Sequence, residues 1–172
     1  FLMIAGVNML GHTFDRAVIA PDTDSSAAAF QGALFTGVFD GNGHVIRNLT
    51  IDASDQDYVA LFGAIGPGGC VQNLEMTETE VAARDFVGSV CGRNGGLISE
   101  CQAEGVLTGG QHVGGLCGLS NTDGVIRQSG AAATVTGTGP VGGLCGRHGG
   151  TIEDSRVGGT VTGVEPVGGL CG

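Results

Sequence analysis

The chain contains no lysine, no tryptophan and one tyrosine. Its seven basic side chains are all arginine, against 17 acidic ones, for a formal charge of −10 and a pI near 4.5. A basic nucleic-acid footprint is therefore excluded, and an anionic membrane surface repels the chain. No apolar run reaches the roughly 18 residues of a membrane-spanning helix. No basic region precedes the apolar opening FLMIAGVNML and no small-residue cleavage site follows it, so it reads as a buried strand rather than a signal peptide. What is abundant is glycine, with 35 of 172 residues against a usual share of roughly 7%. It does not recur every third residue, which excludes collagen. At about 1 kcal/mol per helical site it also excludes a helical bundle. Since 41% of residues are hydrophobic and mean hydropathy is +0.25, disorder is excluded too. A glycine-rich β protein remains.

The glycines belong to a repeat. Phe86-Val87-Gly88-Ser89-Val90-Cys91-Gly92 recurs as His112–Gly118, Pro140–Gly146 and Pro166–Gly172, each ending Val-Gly-Gly-Leu-Cys-Gly. A degenerate copy runs from Tyr58 to Gly63. The closing glycines are 26, 28 and 26 residues apart. The longer step falls in the polar turn after Gly118, so length varies in a turn while the repeating core stays constant. Two further β-rich pieces complete each unit, for example Leu97–Cys101 and Val106–Gly109. Three short strands in about 26 residues cannot close a core alone, but stacked coils can, each strand pairing in parallel with its equivalent at about 4.8 Å. The expected fold is all-β: a parallel, right-handed β-helix solenoid with coils of about 26–28 residues and three short strands per coil. A propeller blade needs about 40 residues, more than these repeats have. One domain spans 1–172, with N-terminal coils over 1–57 and the repeats over 58–172. Because the last unit stops partway, the chain is expected to be a fragment of a longer protein.

Residues 35–51, FTGVFDGNGHVIRNLTI, resemble an opening segment common in bacterial secreted β-helix proteins. The Val-Gly-Gly-Leu-Cys-Gly copies resemble the GLUG motif that follows it there. The likeness covers roughly residues 30–172. It implies a segment of a large surface or secreted bacterial protein; some of these are immunoglobulin A-cleaving metallopeptidases whose zinc sits in a separate domain. No His-Glu-x-x-His occurs here, so that catalysis does not transfer. Asp40-Gly41-Asn42-Gly43 within the segment reads as a tight turn, and it lacks the terminal glutamate of a calcium loop.

Several groups of side chains invite a chemical role. Cys91, Cys117, Cys145 and Cys171 recur at one place in successive units. Stacked in register, neighbours stand about 4.8 Å apart, within disulfide range. All four, spread over roughly 14 Å, are too far apart for one tetrahedral zinc. The expectation is a structural ladder of reduced core thiols, with disulfide pairing and metal binding as alternatives. Asp52, Asp55 and Asp57 are calcium candidates, although such a run is ordinarily a solvated turn, and Asp22 and Asp24 read the same way. Thr108, Thr136 and Thr162 should stack, as should Thr134 and Thr160. Arg93, Arg147 and His148 fall in corresponding turns.

No catalytic residue and no cofactor is identified. The function expected is a non-catalytic β-helical stalk or adhesive segment of a secreted or cell-surface protein. It would meet a protein or glycan surface, or another copy through the solenoid ends, with no nucleic acid and no membrane insertion. The alternatives are part of a carbohydrate-active β-helix enzyme (a polysaccharide lyase or hydrolase) and an ice-binding solenoid.

Overall fold

The computed structural model describes residues 1–164 and 166–172, and among these there is no helix. The chain winds into a parallel β-solenoid of about five turns, with three sheets as its faces. The first face carries Val38–Asp40, Cys70–Gln72, Leu97–Ser99, Val125–Arg127 and Thr151–Glu153. The third carries Phe62–Ile65, Cys91–Asn94, Cys117–Ser120 and Cys145–His148. The second is the broadest and includes Glu75–Val87, Gln102–Thr108, Gly130–Thr136 and Arg156–Thr162.

Equivalent residues lie side by side. Ile98 sits between Val71 and Ile126, Leu107 between Val81 and Val135, and Cys117 between Cys91 and Cys145. Successive pairings on the first face, Cys70 to Leu97 to Val125 to Thr151, advance by 27, 28 and 26 residues. The upstream coils are longer. Ile19 and Phe35 bridge to Phe62 and Ile65, so a span of sixteen residues rides over one of three, and the surplus leaves the coil as an excursion. The aromatic rings of Phe35 and Phe39 close on Phe62 at centroid distances of 4.9 and 5.4 Å, filling the core beneath it.

Alternation along each strand sends one set of side chains inward. Ala131, Ala133 and Val135 are buried, while Ala132, Thr134 and Thr136 face solvent. The corners are made by non-glycine residues with positive φ. Asn73, Glu100, Gln128 and Asp154, at φ 52°, 54°, 49° and 47°, turn the chain from the first face to the second. Tyr58, Phe86 and His112, at 56°, 57° and 56°, bend the second face itself, just before the paired Val59, Val87 and Val113. Each such backbone costs of order 1–3 kcal/mol. The cost is offset because the corner amides stay in the ladder, as with Glu100 N–H to Arg127 O at 3.1 Å and Gln128 N–H to Glu153 O at 3.0 Å.

Two sequence expectations are revised. The repeat motif is not one strand: Val113–Gly114 belongs to the second sheet and Cys117–Ser120 to the third. The three faces thus hold four strands per coil. The opening segment is not buried. Phe1, Leu2, Ile4 and Leu10 are exposed, and the two-residue strand Val7–Asn8 pairs on one side only, with Ile46 and Arg47. It lies on the first of the described coils.

Candidate functional site

The repeat motif builds the corner around which the molecule is organised. Its first glycine brings the chain back against itself: a β-carbon at Gly88 would lie 2.5 Å from the Cys91 carbonyl oxygen and 2.9 Å from Cys117 Cα. The closing glycine passes under the bend of the preceding coil, where a β-carbon at Gly118 would lie 2.5 Å from the Phe86 carbonyl carbon. The turn within the motif resolves a conflict in the pattern. Adjacent strand residues face opposite ways, yet Leu116 and Cys117 are both fully buried, because the chain turns between Gly114 and Cys117.

Cys91, Cys117 and Cys145 form a column inside the third face, with no exposure, and Cys171 continues it at half-burial. All six cysteines are free thiols. The Cys91 thiol donates to Cys117 Sγ at 3.4 Å. Those of Cys117 and Cys145 turn to the carbonyls of Leu119 and Arg147, at 3.2 and 3.0 Å. Burial pushes Cys117 well above the ordinary thiol range. Contact with the Cys117 thiol, and then burial, does the same for Cys145. Cys101, behind the first corner, is pushed by burial to about 12. Such thiols are poor nucleophiles.

Beside the column runs a polar one that hydropathy did not reveal, made of Asn94 and Ser120 and both buried. The Asn94 side-chain oxygen accepts from Gly96 N–H at 3.0 Å, and its amide donates to Val125 O at 3.3 Å. It therefore clamps the turn that leads to the first face. The Ser129 hydroxyl likewise donates to Arg127 O at 2.8 Å and accepts from Cys101 N–H at 3.1 Å, joining two coils. Asn94 and Ser120 each stand three residues after a repeat cysteine, and Ser129 and Ser155 occupy the place of Cys101 in their coils.

The bend of the second face carries a stack of rings that the repeat pattern does not show. The Tyr58 and Phe86 rings lie 4.4 Å apart at 4°, and Phe86 and His112 lie 4.8 Å apart at 1°. These residues occupy one place, just before Val59, Val87 and Val113.

The calcium candidates do not converge. Asp52 and Asp55 are exposed on Thr50–Val59, while Asp57 is taken up by Arg84 of the next coil through bonds of 2.8 and 2.7 Å. Arg84 also donates to Ser25 O, which ties the upstream excursion to the second face. Asp22 is buried and accepts from Gln31 N–H at 2.8 Å, and Asp24 holds Ser26. Among the described residues, no three of His, Cys, Asp and Glu are grouped to hold a metal. Asp40 accepts from Asn42 N–H at 2.8 Å, Gln72 Nε2 at 2.8 Å and Asn73 Nδ2 at 3.0 Å. The Asn73 and Gln72 bonds hold its carboxyl below the usual range. The turn of the FDGNGH segment is thus a clamp between two coils.

The outward residues form rows. Thr108, Thr136 and Thr162 lie side by side on the second face, and Thr134 lies beside Thr160. Arg93, Leu119 and Arg147 form a row on the third face. An open groove on the second face runs over Ala131, Ala132 and Gly158 and is bordered by Gln102, Glu104 and Arg156. Among the described residues, no helix is long and apolar enough to cross a membrane.

No family model matches the chain, and no solved structure does. Two curated proteins are similar over part of it. Halomucin of Haloquadratum walsbyi is 41% identical over 91 residues, which is 53% of this chain and 1% of that protein. A putative Gly-rich membrane protein of Evansella cellulosilytica is 38% identical over 73 residues, which is 41% of this chain and 8% of that protein. The chain therefore spans a small fraction of the length of either relative.

Proposed function

We propose that this chain is a structural, non-catalytic stalk or adhesive segment of a large extracellular or cell-surface protein of the GLUG-repeat kind. The observation that carries this is the continuous registered ladder. Successive coils stack equivalent inward residues, most closely from Cys91 onward, and length changes fall in the turn after the repeat motif, in the upstream excursion and in local irregularities of the second face. Such a solenoid holds its outward rows at fixed spacing, about 4.8 Å per coil, and displays them to a protein or glycan. Two relatives far longer than the matched stretch, one a mucin by name and one named a membrane protein, support a surface role. The acidic surface suits an exposed, soluble face.

The test is to raise antibodies against the solenoid and apply them to intact and permeabilised cells of the source organism. Labelling of intact cells, or recovery of the antigen from the medium, is expected. Labelling confined to permeabilised cells refutes the surface assignment. For the adhesive role, the chain is passed over immobilised polysaccharides and surface proteins. Retention that weakens when Arg93 and Arg147 or the Thr136 row are changed would identify the displaying face.

A further inference from the structure

We propose that Cys91 and Cys117 are a cross-linking site, and that they form a coil-to-coil disulfide when the chain folds in an oxidising medium. The inference stands on the geometry of the thiol column and is independent of where the protein resides. The two residues are directly paired on adjacent parallel strands, where Cα atoms lie about 4.8 Å apart, inside the range a disulfide spans. Their sulfurs are already 3.4 Å apart, with the Cys91 thiol turned onto Cys117 rather than onto a carbonyl. Reaching a bond of about 2.0 Å moves the sulfurs by little more than a side-chain rotation. The other cysteines differ. Cys70 is paired with Val38 and Leu97, so it has no cysteine beside it. The Cys101 sulfur faces the carbonyls of Val71 and Ser99. Cys117 is also registered with Cys145, but the thiols of that pair turn to the carbonyls of Leu119 and Arg147; Cys145 and Cys171 form a further registered pair, and bridging them is compatible with bridging Cys91 to Cys117.

The folded column admits no reagent, because Cys91 and Cys117 are fully buried. The bond therefore forms while the coils are closing. The oxidant is a small disulfide such as oxidised glutathione. The Cys117 thiolate attacks one of its sulfurs, giving a mixed disulfide and one glutathione thiolate. The Cys91 thiolate then attacks the Cys117 sulfur and releases the second glutathione. Two cysteine thiols are oxidised to one disulfide, one small disulfide is reduced to two thiols, and the cysteine protons end on the two glutathiones.

The test uses the whole chain, unfolded with reductant and refolded in a buffer of oxidised and reduced glutathione. Free thiols are then alkylated and the protein is digested with trypsin and a glutamyl protease. Cuts after Arg93, Glu104 and Arg127 place Cys91, Cys101 and Cys117 on separate peptides. The expected result is a linked Cys91–Cys117 peptide as the dominant cross-link, lighter than its reduced parts by two hydrogens. The denaturation midpoint should also be higher before reduction than after it. That shift should persist in Cys70→Ala and shrink in Cys117→Ala. The peptide map needs no variant, so it decides the matter even if Cys117→Ala folds poorly. Complete alkylation of Cys91 and Cys117 in the refolded protein overturns the proposal, as does a scatter of links in which Cys91–Cys117 is no commoner than Cys70–Cys101.

Discussion

Replacing Gly118 by alanine adds one methyl group, and the structure gives it nowhere to go. The new β-carbon would lie 2.5 Å from the Phe86 carbonyl carbon and 2.7 Å from both Gly92 O and Val87 N. All three are backbone atoms, so no side-chain rotation relieves the contact. Opening the gap to an ordinary separation pulls the coils apart across Phe86 N–H to Gln111 O and Val87 N–H to His112 O, bonds of 2.9 and 3.1 Å. Two weakened ladder bonds at about 1 kcal/mol each and an overpacking strain of about 1–3 kcal/mol sum to a loss of roughly 3–5 kcal/mol. The matched control is Gly158→Ala, whose new carbon would meet only Ala132 Cβ at 3.9 Å and which should change stability by no more than about 0.5 kcal/mol. Urea unfolding followed by circular dichroism reads both. With a denaturant dependence of about 1–3 kcal/mol per molar, the Gly118→Ala midpoint should fall by roughly 2 M while that of Gly158→Ala hardly moves. Equal midpoints for the two variants would refute the close-approach account of the motif.

Cys117→Ala should cost about 1–2 kcal/mol for the lost sulfur volume, while Cys117→Arg, which buries an unpaired charge, should leave no cooperative transition in the same experiment. Under reducing conditions a thiol reagent should label native Cys70 and Cys171 before Cys91, Cys101, Cys117 and Cys145; rapid labelling of all six would show the inward assignment to be wrong. Stability should fall as pH rises. The folded pKa of Cys101, about 12, stands above the unfolded value near 8.5, so its contribution is intact below about pH 8.5 and is lost toward pH 12 at about 1.4 kcal/mol per unit. A flat stability profile over that window in reductant would contradict it. On the acid side the sign reverses: the depressed carboxyl of Asp40 stabilises above the unfolded carboxylate pKa, and Asp40→Asn should flatten the decline below it.

The sequence carried the architecture because a solenoid repeats its inward residues. Once Val113, Leu116 and Cys117 were aligned with Val141, Leu144 and Cys145, stacking followed, and the 28-residue step fell in the turn where Thr122 and Asp123 lie. The split of the motif was hidden because hydropathy assigns Leu116 and Cys117 to opposite faces; only the close approaches at Gly88 and Gly118 show that the chain turns between them. The opening segment misled for the complementary reason. Ile4 and Leu10 are apolar enough for a core, but burial depends on a neighbouring coil, which periodicity within one segment does not report. The ring stack was obscured because Tyr58, Phe86 and His112 share a place while differing in chemistry. The Asp52–Asp57 run could be read only as charge until Arg84, 27 residues further on, was seen to take one of its carboxylates.

The ladder bonds point along the solenoid axis, and this sets how the molecule bears load. A pull on its two ends loads the coils in series, each held to the next by bonds that open one after another rather than by strands sheared all at once. Each released coil of 26–28 residues frees roughly 90 Å of chain. The molecule should therefore lengthen in near-equal steps at modest force, taking up energy repeatedly and rewinding from whichever coils remain closed. A Cys91–Cys117 bridge would withhold one step from that series, shortening the reach of the spring without stiffening the rest.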